Sequence, residues 1–312
     1  MRTTYPIITI KRGKEQAIKR RHPWIFTGAI EKREKNITDG SIVRICDVHG
    51  DFMALGHFSD GPSIAVRLFS FDDIEISYPY WLQKIQEAHD LRQNMLCSIP
   101  GTNVYRLIHG EGDGLPGLII DIYDTAAVVQ FHSIGMWQER DHIKNALMEV
   151  FGNPLKTIYN KSEGTMPSAF ESLVRDEFWL GADTNGIVEE HGHKFIVDWV
   201  EGQKTGFFVD QRENRRLVQE YSKDRSVLNM FCYSGGFSFY AMRGGAKMVH
   251  SVDSSAKAID LTNENVKLNF PGDMRHEAFV ADCFDYMDKN KDKYDLIILD
   301  PPAFAKHRGA LP

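Results

Sequence analysis

The sequence predicts a multidomain α/β protein: a small β-barrel first, an α+β unit in the middle, and a Rossmann-like open parallel sheet at the end. Three observations carry this. Residues 7–70 are short apolar runs separated by Asp-Gly and Gly-Pro punctuation, the rhythm of a compact β-domain. From residue 80 a long helical pattern leads into hairpin-like strands around a glycine-rich turn. From Val227 onward apolar runs alternate with helical patterns, as in the βαβ units that build parallel sheets. The expected division is therefore 1–74, 75–184 and 185–312, and 312 residues with 42% hydrophobic content can bury several cores.

Composition narrows the classes of function. No apolar run approaches bilayer length and residues 1–14 lack a signal-peptide core, so the cytoplasm is the expected compartment and a membrane is not an expected partner. Cys46, Cys97, Cys232 and Cys283 are widely spaced, with neither metal-ligand spacing nor the density of a disulfide scaffold, so reduced thiols and no metal are expected. The net charge of −6 hides an asymmetry. Residues 1–35 hold ten basic and three acidic side chains, an excess of +7, which leaves −13 on the other 277. A basic end on an acidic body suits a localised polyanion contact, and on charge alone a solvated face is an equal alternative.

The first strands are expected at 7–10, 41–46, 52–56 and 64–69, divided by Asp39-Gly40, His49-Gly50-Asp51 and Asp60-Gly61-Pro62. Trp24-Ile25-Phe26 is expected in the barrel core, because large aromatics in an apolar run are usually buried. Trp81, Ile85, Ala88, Leu91 and Met95 give 80–97 one apolar helical stripe. After Pro100-Gly101, strands are expected at 105–108, 118–121 and 126–131, with a helix over about 136–150. The turn Gly110-Glu111-Gly112-Asp113-Gly114-Leu115-Pro116-Gly117 lacks a Gly-Lys-Ser/Thr ending and lies between strands. It reads as a turn needing positive φ rather than a phosphate loop, and His109, Glu111 and Asp113 owe their spacing to it. Residues 187–198 read as a hairpin turning at His191-Gly192-His193. Two histidines beside Glu189 and Glu190 suggest metal ligands, but no further ligands cluster nearby. A helix over 211–221 carries Arg212, Arg215 and Arg216.

The last domain is organised around Val227-Leu228-Asn229-Met230-Phe231-Cys232-Tyr233-Ser234-Gly235-Gly236, a strand, loop and helix start. The paired glycines leave a helix N-terminus open to a ligand, and their spacing is not the dinucleotide G-x-G-x-x-G. Three more strands are expected at 248–253, 276–281 and 294–299, the first closing on Asp253 and the others followed by Asp282 and Asp300. An aspartate in any one of these places also suits a helix cap or turn. An open parallel sheet, however, would gather the glycine loop and all three acids at its carboxyl edge, where such sheets bind ligands.

These segments resemble the successive motifs of class I S-adenosylmethionine-dependent methyltransferases, and most nearly the bacterial large-subunit rRNA methyltransferases that make 5-methylcytosine. The matching words are Lys204-Thr205-Gly206-Phe207-Phe208-Val209-Asp210-Gln211-Arg212, Asn229-Met230-Phe231-Cys232-Tyr233-Ser234-Gly235-Gly236 and Asp300-Pro301-Pro302-Ala303-Phe304-Ala305-Lys306. Arg21-His22-Pro23-Trp24-Ile25-Phe26 and Glu111-Gly112-Asp113-Gly114-Leu115-Pro116-Gly117-Leu118 extend the resemblance, which runs from about Lys11 to Lys306.

The resemblance implies a PUA-like RNA-binding domain at the N-terminus, with Lys11, Arg12, Lys19, Arg20, Arg21 and His22 on RNA and Trp24 beside them as a stacking surface. It implies S-adenosylmethionine, its methionine end held by Phe231, Cys232, Tyr233, Ser234, Gly235 and Gly236. Asp253 would take the ribose hydroxyls, Asp282 the adenine amino group, and Asp210 with Gln211 would approach the cofactor. Cys232 and Cys283 would line the pocket as small apolar residues. Asp300 would lie beside the cofactor and hold the edge of the target base, with Pro301-Pro302 stiffening its loop. Ribosomal RNA is the implied partner, and self-association into a homodimer is a further expectation. Methylating carbon 5 of cytosine normally uses a cysteine thiolate added to the neighbouring ring carbon. The resemblance places that cysteine beyond Asp300-Pro301-Pro302, and none of the four cysteines stands there. The expected domain therefore lacks its last strands and the nucleophile. Base-nitrogen methylation, or an inactive RNA-binding remnant, are the alternatives.

Overall fold

A computed structural model describes residues 5–301 apart from Pro62 and Cys97. Expectations for Pro62, for Cys97 and for Pro302-Ala303-Phe304-Ala305-Lys306 lie outside the described residues. The chain falls into two compact units, one of 1–99, 104–184 and 199–205, the other of 100–103, 185–198 and 206–312. The parts expected at 1–74 and 75–184 share the first unit.

The first unit opens with β1 (Ile7–Ile10), α1 (Gln16–Lys19), β2 (Trp24–Phe26), β3 (Ile30–Arg33), β4 (Ile42–Cys46), β5 (Phe52–Phe58) and β6 (Ile64–Ser70). They form a six-stranded sheet in the order β2-β6-β5-β4-β1-β3, in which only the β1–β4 pairing is parallel. Among the described residues the pairings end at β2 and β3 without closing into the expected ring. Strand alternation turns Ile8, Ile10, Val43, Ile45, Val66 and Leu68 into one core. It also corrects the expectation for Trp24-Ile25-Phe26. On edge strand β2 only Ile25 points inward, at 3% exposure, while Trp24 is half-buried and Phe26 is 44% exposed. Edge strand β3, Ile-Glu-Lys-Arg, was not legible because it carries no apolar alternation.

The same unit continues with α2 (Tyr78–Leu96), β7 (Val104–His109), β8 (Leu118–Tyr123), β9 (Ala126–Phe131), α3 (Ile134–Gln138), α4 (Arg140–Phe151), β10 (Thr157–Asn160) and β11 (Glu177–Leu180). The five strands lie in the order β11-β10-β9-β8-β7. Trp81, Ile85 and Ala88 of α2 are buried as expected, but Leu91 and Met95 are 51% and 55% exposed, so the stripe ends early. Tyr80 Oη donates to the Phe69 carbonyl at 2.6 Å and ties α2 to β6. The helix expected over 136–150 is two helices divided at Glu139, the first capped by the Ser133 hydroxyl, which accepts from the Met136 N–H at 3.4 Å. Strands β10 and β11, four residues each, gave no alternating signal long enough to read.

The second unit begins with the hairpin β12 (Asn185–Glu190) and β13 (His193–Asp198). Its turn is His191-Gly192, with φ of +51° and +73°, the two left-handed residues that a tight hairpin of this twist requires. Then come α5 (Arg212–Tyr221), β14 (Ser226–Met230), α6 (Gly236–Arg243), β15 (Met248–Asp253), α7 (Ala256–Asn269), β16 (His276–Val280), α8 (Cys283–Lys289) and β17 (Leu296–Leu299). The four strands are all parallel, in the order β16-β15-β14-β17. The chain steps outward from β14 to β15 and β16, then returns to β17 on the other flank. The carboxyl end of β14 is therefore the topological switch point, where open sheets leave a crevice. Strand β17 is partly exposed: among the described residues Ile297 and Leu299 are 53% and 57% exposed.

Candidate functional site

The loop leaving β14 is held in an unusual backbone path. Phe231, Tyr233 and Gly235 have φ of +54°, +48° and +75°, alternating with residues of ordinary φ. Each non-glycine residue in the left-handed region costs on the order of 1–3 kcal/mol, and the surroundings must over-determine it. Here they do. The Cys232 N–H donates to the Val252 carbonyl at 3.1 Å, the Gly235 N–H to the Cys232 carbonyl at 2.8 Å, and the Tyr233 N–H to Asp253 Oδ2 at 3.0 Å. Alternating handedness of this kind turns backbone N–H groups towards a common concavity suited to an anion.

Asp253, the last residue of β15, thus clamps the loop. Its Oδ1 accepts the Ser255 N–H at 2.9 Å, so each oxygen holds one backbone donor and keeps lone-pair capacity for another. Gly235 and Gly236 have a packing reason beyond open access for a ligand. A Cβ on Gly235 would lie 2.6 Å from Thr262 Cγ2 of α7, and one on Gly236 would lie 3.1 Å from Arg215 Cδ.

Asp282 is exposed and caps α8, its Oδ1 accepting from the N–H groups of Phe284 at 2.9 Å and Asp285 at 3.1 Å. Asp300 follows β17 and is exposed. Because the four strands are parallel, the glycine loop, Asp253, Asp282 and Asp300 all leave the same edge of the sheet, as the sequence implied. Asp210 and Gln211 lie in a 3₁₀ turn (Val209–Gln211), Asp210 exposed and Gln211 accepting from Asn214 Nδ2 at 2.7 Å. Tyr233 joins the two segments: its hydroxyl donates to the Gly206 carbonyl at 3.1 Å and its ring meets Phe208 edge-on at 5.6 Å.

The thiols are quiet. Cys232 is buried with Sγ 3.6 Å from Thr262 Oγ1, and burial pushes its pKa up to about 12. Cys283 and Cys46 are also buried, and burial raises both. These side chains are neutral at physiological pH, and a neutral thiol is a poor nucleophile.

Sequence reasoning missed the buried charge cluster behind the loop. Arg215, 3% exposed, donates to Glu190 through Nε at 2.7 Å and Nη2 at 2.8 Å, and through both terminal nitrogens to the Phe208 carbonyl at 3.1 Å. Arg212 Nε at 3.2 Å and Tyr240 Oη at 2.9 Å also donate to Glu190. Burial raises the Glu190 pKa, but the attraction of Arg215 and its hydrogen bonds outweighs it, and the net shift is downward. The available signal was that α5 carries few apolar side chains, Leu217, Val218 and Tyr221, so a polar one had to share its inward contacts.

In the first unit, Lys11, Arg12, Lys19, Arg20, Arg21 and His22 are all exposed, with Ile18 turned into the core beneath them. The His22 ring lies 6.0 Å from Trp24 and 6.3 Å from Phe26, so cations and aromatic faces share one short segment. The acids of the glycine turn have structural partners: Trp24 Nε1 donates to Glu111 at 2.8 Å, and Arg92 grips Asp113 at 2.6 and 2.7 Å.

Comparison with known proteins returns the same two regions. Residues 8–71 match a PUA-like domain, and residues 167–311 match the S-adenosylmethionine-dependent methyltransferase domain. Ribosomal RNA large subunit methyltransferase I of Vibrio vulnificus is 36% identical over 312 residues, covering 97% of this chain and 78% of that protein. The protein of the same name from Escherichia coli is 35% identical with the same coverage. Among solved structures, a Streptococcus mutans protein assigned to the SAM-dependent methyltransferases superposes with a TM-score of 0.80 at 25% identity, over 95% of this chain and 77% of that one.

Proposed function

From the premise that this chain belongs to the ribosomal RNA large subunit methyltransferase I family, we propose that it methylates carbon 5 of a cytosine in large-subunit ribosomal RNA, with S-adenosylmethionine as donor. The observation that carries the reading is the left-handed loop at the switch point of a parallel sheet, clamped by an acid that keeps free acceptor capacity. The donor set fits the cofactor. Backbone N–H groups over Phe231, Cys232, Tyr233, Ser234, Gly235 and Gly236 suit the methionine carboxylate. Asp253 suits two ribose hydroxyls, and the Asp282 oxygen not used by the cap suits an adenine amino group, charge-assisted bonds being the stronger kind. Asp210 and Gln211 border the loop through Tyr233, and Asp300 presents an acceptor to the edge of the target base. The cofactor, when bound, supplies an electrophilic methyl group on sulfur.

For the chain's own residues the work is positioning. The Asp253 clamp holds the loop path, the Arg215–Glu190 pair holds Phe208 against it, and Lys11, Arg12, Lys19, Arg20, Arg21 and His22 hold RNA phosphates. Carbon-5 chemistry needs a thiolate, and buried, neutral Cys46, Cys232 and Cys283 are unsuited to provide it. Base-nitrogen methylation, which needs no thiol, is the second reading. The finer readings that go with the main one are a three-part division at 74 and 184, action in the cytoplasm, and a homodimer formed through the exposed face of β17.

Transfer of labelled methyl from S-adenosylmethionine to protein-free ribosomal RNA tests the activity, and bisulfite sequencing of the product tests the position. A bisulfite-resistant cytosine is the expected result. Labelled RNA without one selects the nitrogen reading, and no transfer with RNA binding retained leaves an RNA-binding remnant.

A further inference from the structure

In the first unit, a cleft of about 380 Å³ lies between the six-stranded sheet and the residues that follow β9. Its wall includes Phe58, Ser59, Ser63, Arg67, Ser133 and Phe170. Arg67 is its anomaly. The guanidinium is half-buried, and among the described residues it makes no hydrogen bond and no ion pair. Desolvation lowers its pKa, and the favourable charge acting on it is that of Glu111, a carboxylate already accepting from Trp24 Nε1. His57, which also lines the cleft, adds no second positive charge beside the guanidinium: burial, with the repulsion of Arg67, drives its pKa down to about 3 and leaves it neutral. A guanidinium taken partly out of water without a carboxylate is costly, and arginine's planar fork suits phosphate oxygens.

The rest of the lining points to more than a bare anion. Asp39 and Asp60 line the same cleft. Asp60 is paired with Arg33 at 2.7 Å, and Asp39 Oδ1 accepts the Asp60 N–H at 2.6 Å. A cation, a carboxylate with remaining acceptor capacity, hydroxyls and an aromatic wall together match a ligand carrying a phosphate, a donor-bearing heterocycle and a flat face. The volume is in the range of small-ligand pockets, above about 300 Å³. Position supports the same occupant. Arg67 lies directly across from Trp24 in the β2–β6 ladder, so their side chains share one face of the sheet, and Trp24 follows the exposed cations Lys19, Arg20 and Arg21.

We propose that this cleft receives one unpaired nucleotide of the RNA substrate, with Arg67 on its phosphate and the wall around Phe170 against its base. The proposal rests on the RNA reading above and adds a pocket to a reading that otherwise has only an exposed charged segment. A nucleotide held here would fix the register of the RNA strand, which scattered surface cations do not do.

The test uses the full chain and a fluorescently labelled single-stranded fragment of large-subunit ribosomal RNA, with anisotropy read at several salt concentrations. Arg67→Met is expected to weaken binding by roughly tenfold and to lower the salt slope by about one, the signature of one lost phosphate contact. Ser63→Trp, at an exposed position, is expected to weaken binding to a similar degree by filling the cleft, and to lower the salt slope likewise because the phosphate no longer reaches Arg67. The combined charge reversal Lys19→Glu, Arg20→Glu and Arg21→Glu serves as the comparison. If that variant loses RNA while Arg67→Met and Ser63→Trp bind as the parent does with an unchanged slope, the cleft is overturned and the RNA reading survives. If the parent chain fails to bind RNA, the RNA reading itself has failed, and the cleft proposal with it. Thermal unfolding and S-adenosylhomocysteine binding of both cleft variants should match the parent, and should Arg67→Met unfold, Ser63→Trp decides alone.

Discussion

Asp253 accepts the backbone N–H of Tyr233 at 3.0 Å, and that one bond joins the end of β15 to a loop residue held at a φ of +48°. The acid is therefore part of the loop's construction before any ligand arrives. A group that both shapes a site and contacts its ligand should show two separable effects on mutation.

Asp253→Ala removes the clamp and the acceptor together, whereas Asp253→Asn keeps a carbonyl oxygen for one of these bonds. Charged hydrogen bonds of this kind contribute about 2 kcal/mol, so S-adenosylhomocysteine affinity should fall by roughly 30-fold in the alanine variant and by less in the asparagine variant. Calorimetric titration reads both, and an alanine variant with parental affinity would remove Asp253 from the cofactor site.

Gly235→Ala should destabilise the protein even without ligand. The position combines a φ of +75° with a virtual Cβ 2.6 Å from Thr262 Cγ2, so left-handed strain of about 1 kcal/mol adds to overpacking of about 1–3 kcal/mol. Thr262→Ser deletes the colliding methyl and should restore part of the loss in a double variant. Urea denaturation of the four proteins in the cycle measures this, and strict additivity would mean that the collision is relieved elsewhere.

The Glu190–Arg215 pair should be visible in the pH dependence of stability. The folded pKa of Glu190 is depressed below its ordinary 4.5, so the pair's contribution is fully present above about pH 4.5 and is lost as pH falls through the folded value. Glu190→Gln leaves Arg215 buried without its anion and should cost about 3–5 kcal/mol at neutral pH. Its stability should then fall less steeply than the parent's below pH 4.5. Parallel curves for the two proteins in that acid window would contradict the assignment.

Ile297 and Leu299 place two exposed aliphatic side chains on one four-residue strand. The 312-residue polypeptide should self-associate through that face, and Ile297→Lys should shift it towards monomer. Sedimentation velocity across a range of concentrations reads the change. A parent chain that stays monomeric at tens of micromolar would assign the exposed pair no role in association.

Much of this molecule was legible in the sequence because its signals are local. The order of strand, glycine loop and three acids in the last 90 residues predicted the parallel strands of the second unit, and with them the common edge that carries Asp253, Asp282 and Asp300. The turn at His191-Gly192 and the burial of Trp81 and Ile85 follow from the same short-range patterns. Other features required the folded chain. Trp24 and Phe26 lie on the face opposite Ile25 because β2 pairs with β6 in the register that turns Ile25 to the core, which depends on the pairing partner and not on apolar neighbours. Glu190 and Arg215 are 25 residues apart and look like ordinary surface charges until β12 and α5 are packed, when burial makes each charge depend on the other. Arg67 reads as one polar residue in an apolar strand, and only the surrounding cleft leaves its charge unmatched. The division has one physical cause. Periodicity and turn chemistry act over a few residues and are written in order along the chain, whereas desolvation and charge pairing depend on which distant groups the fold brings within a few ångströms.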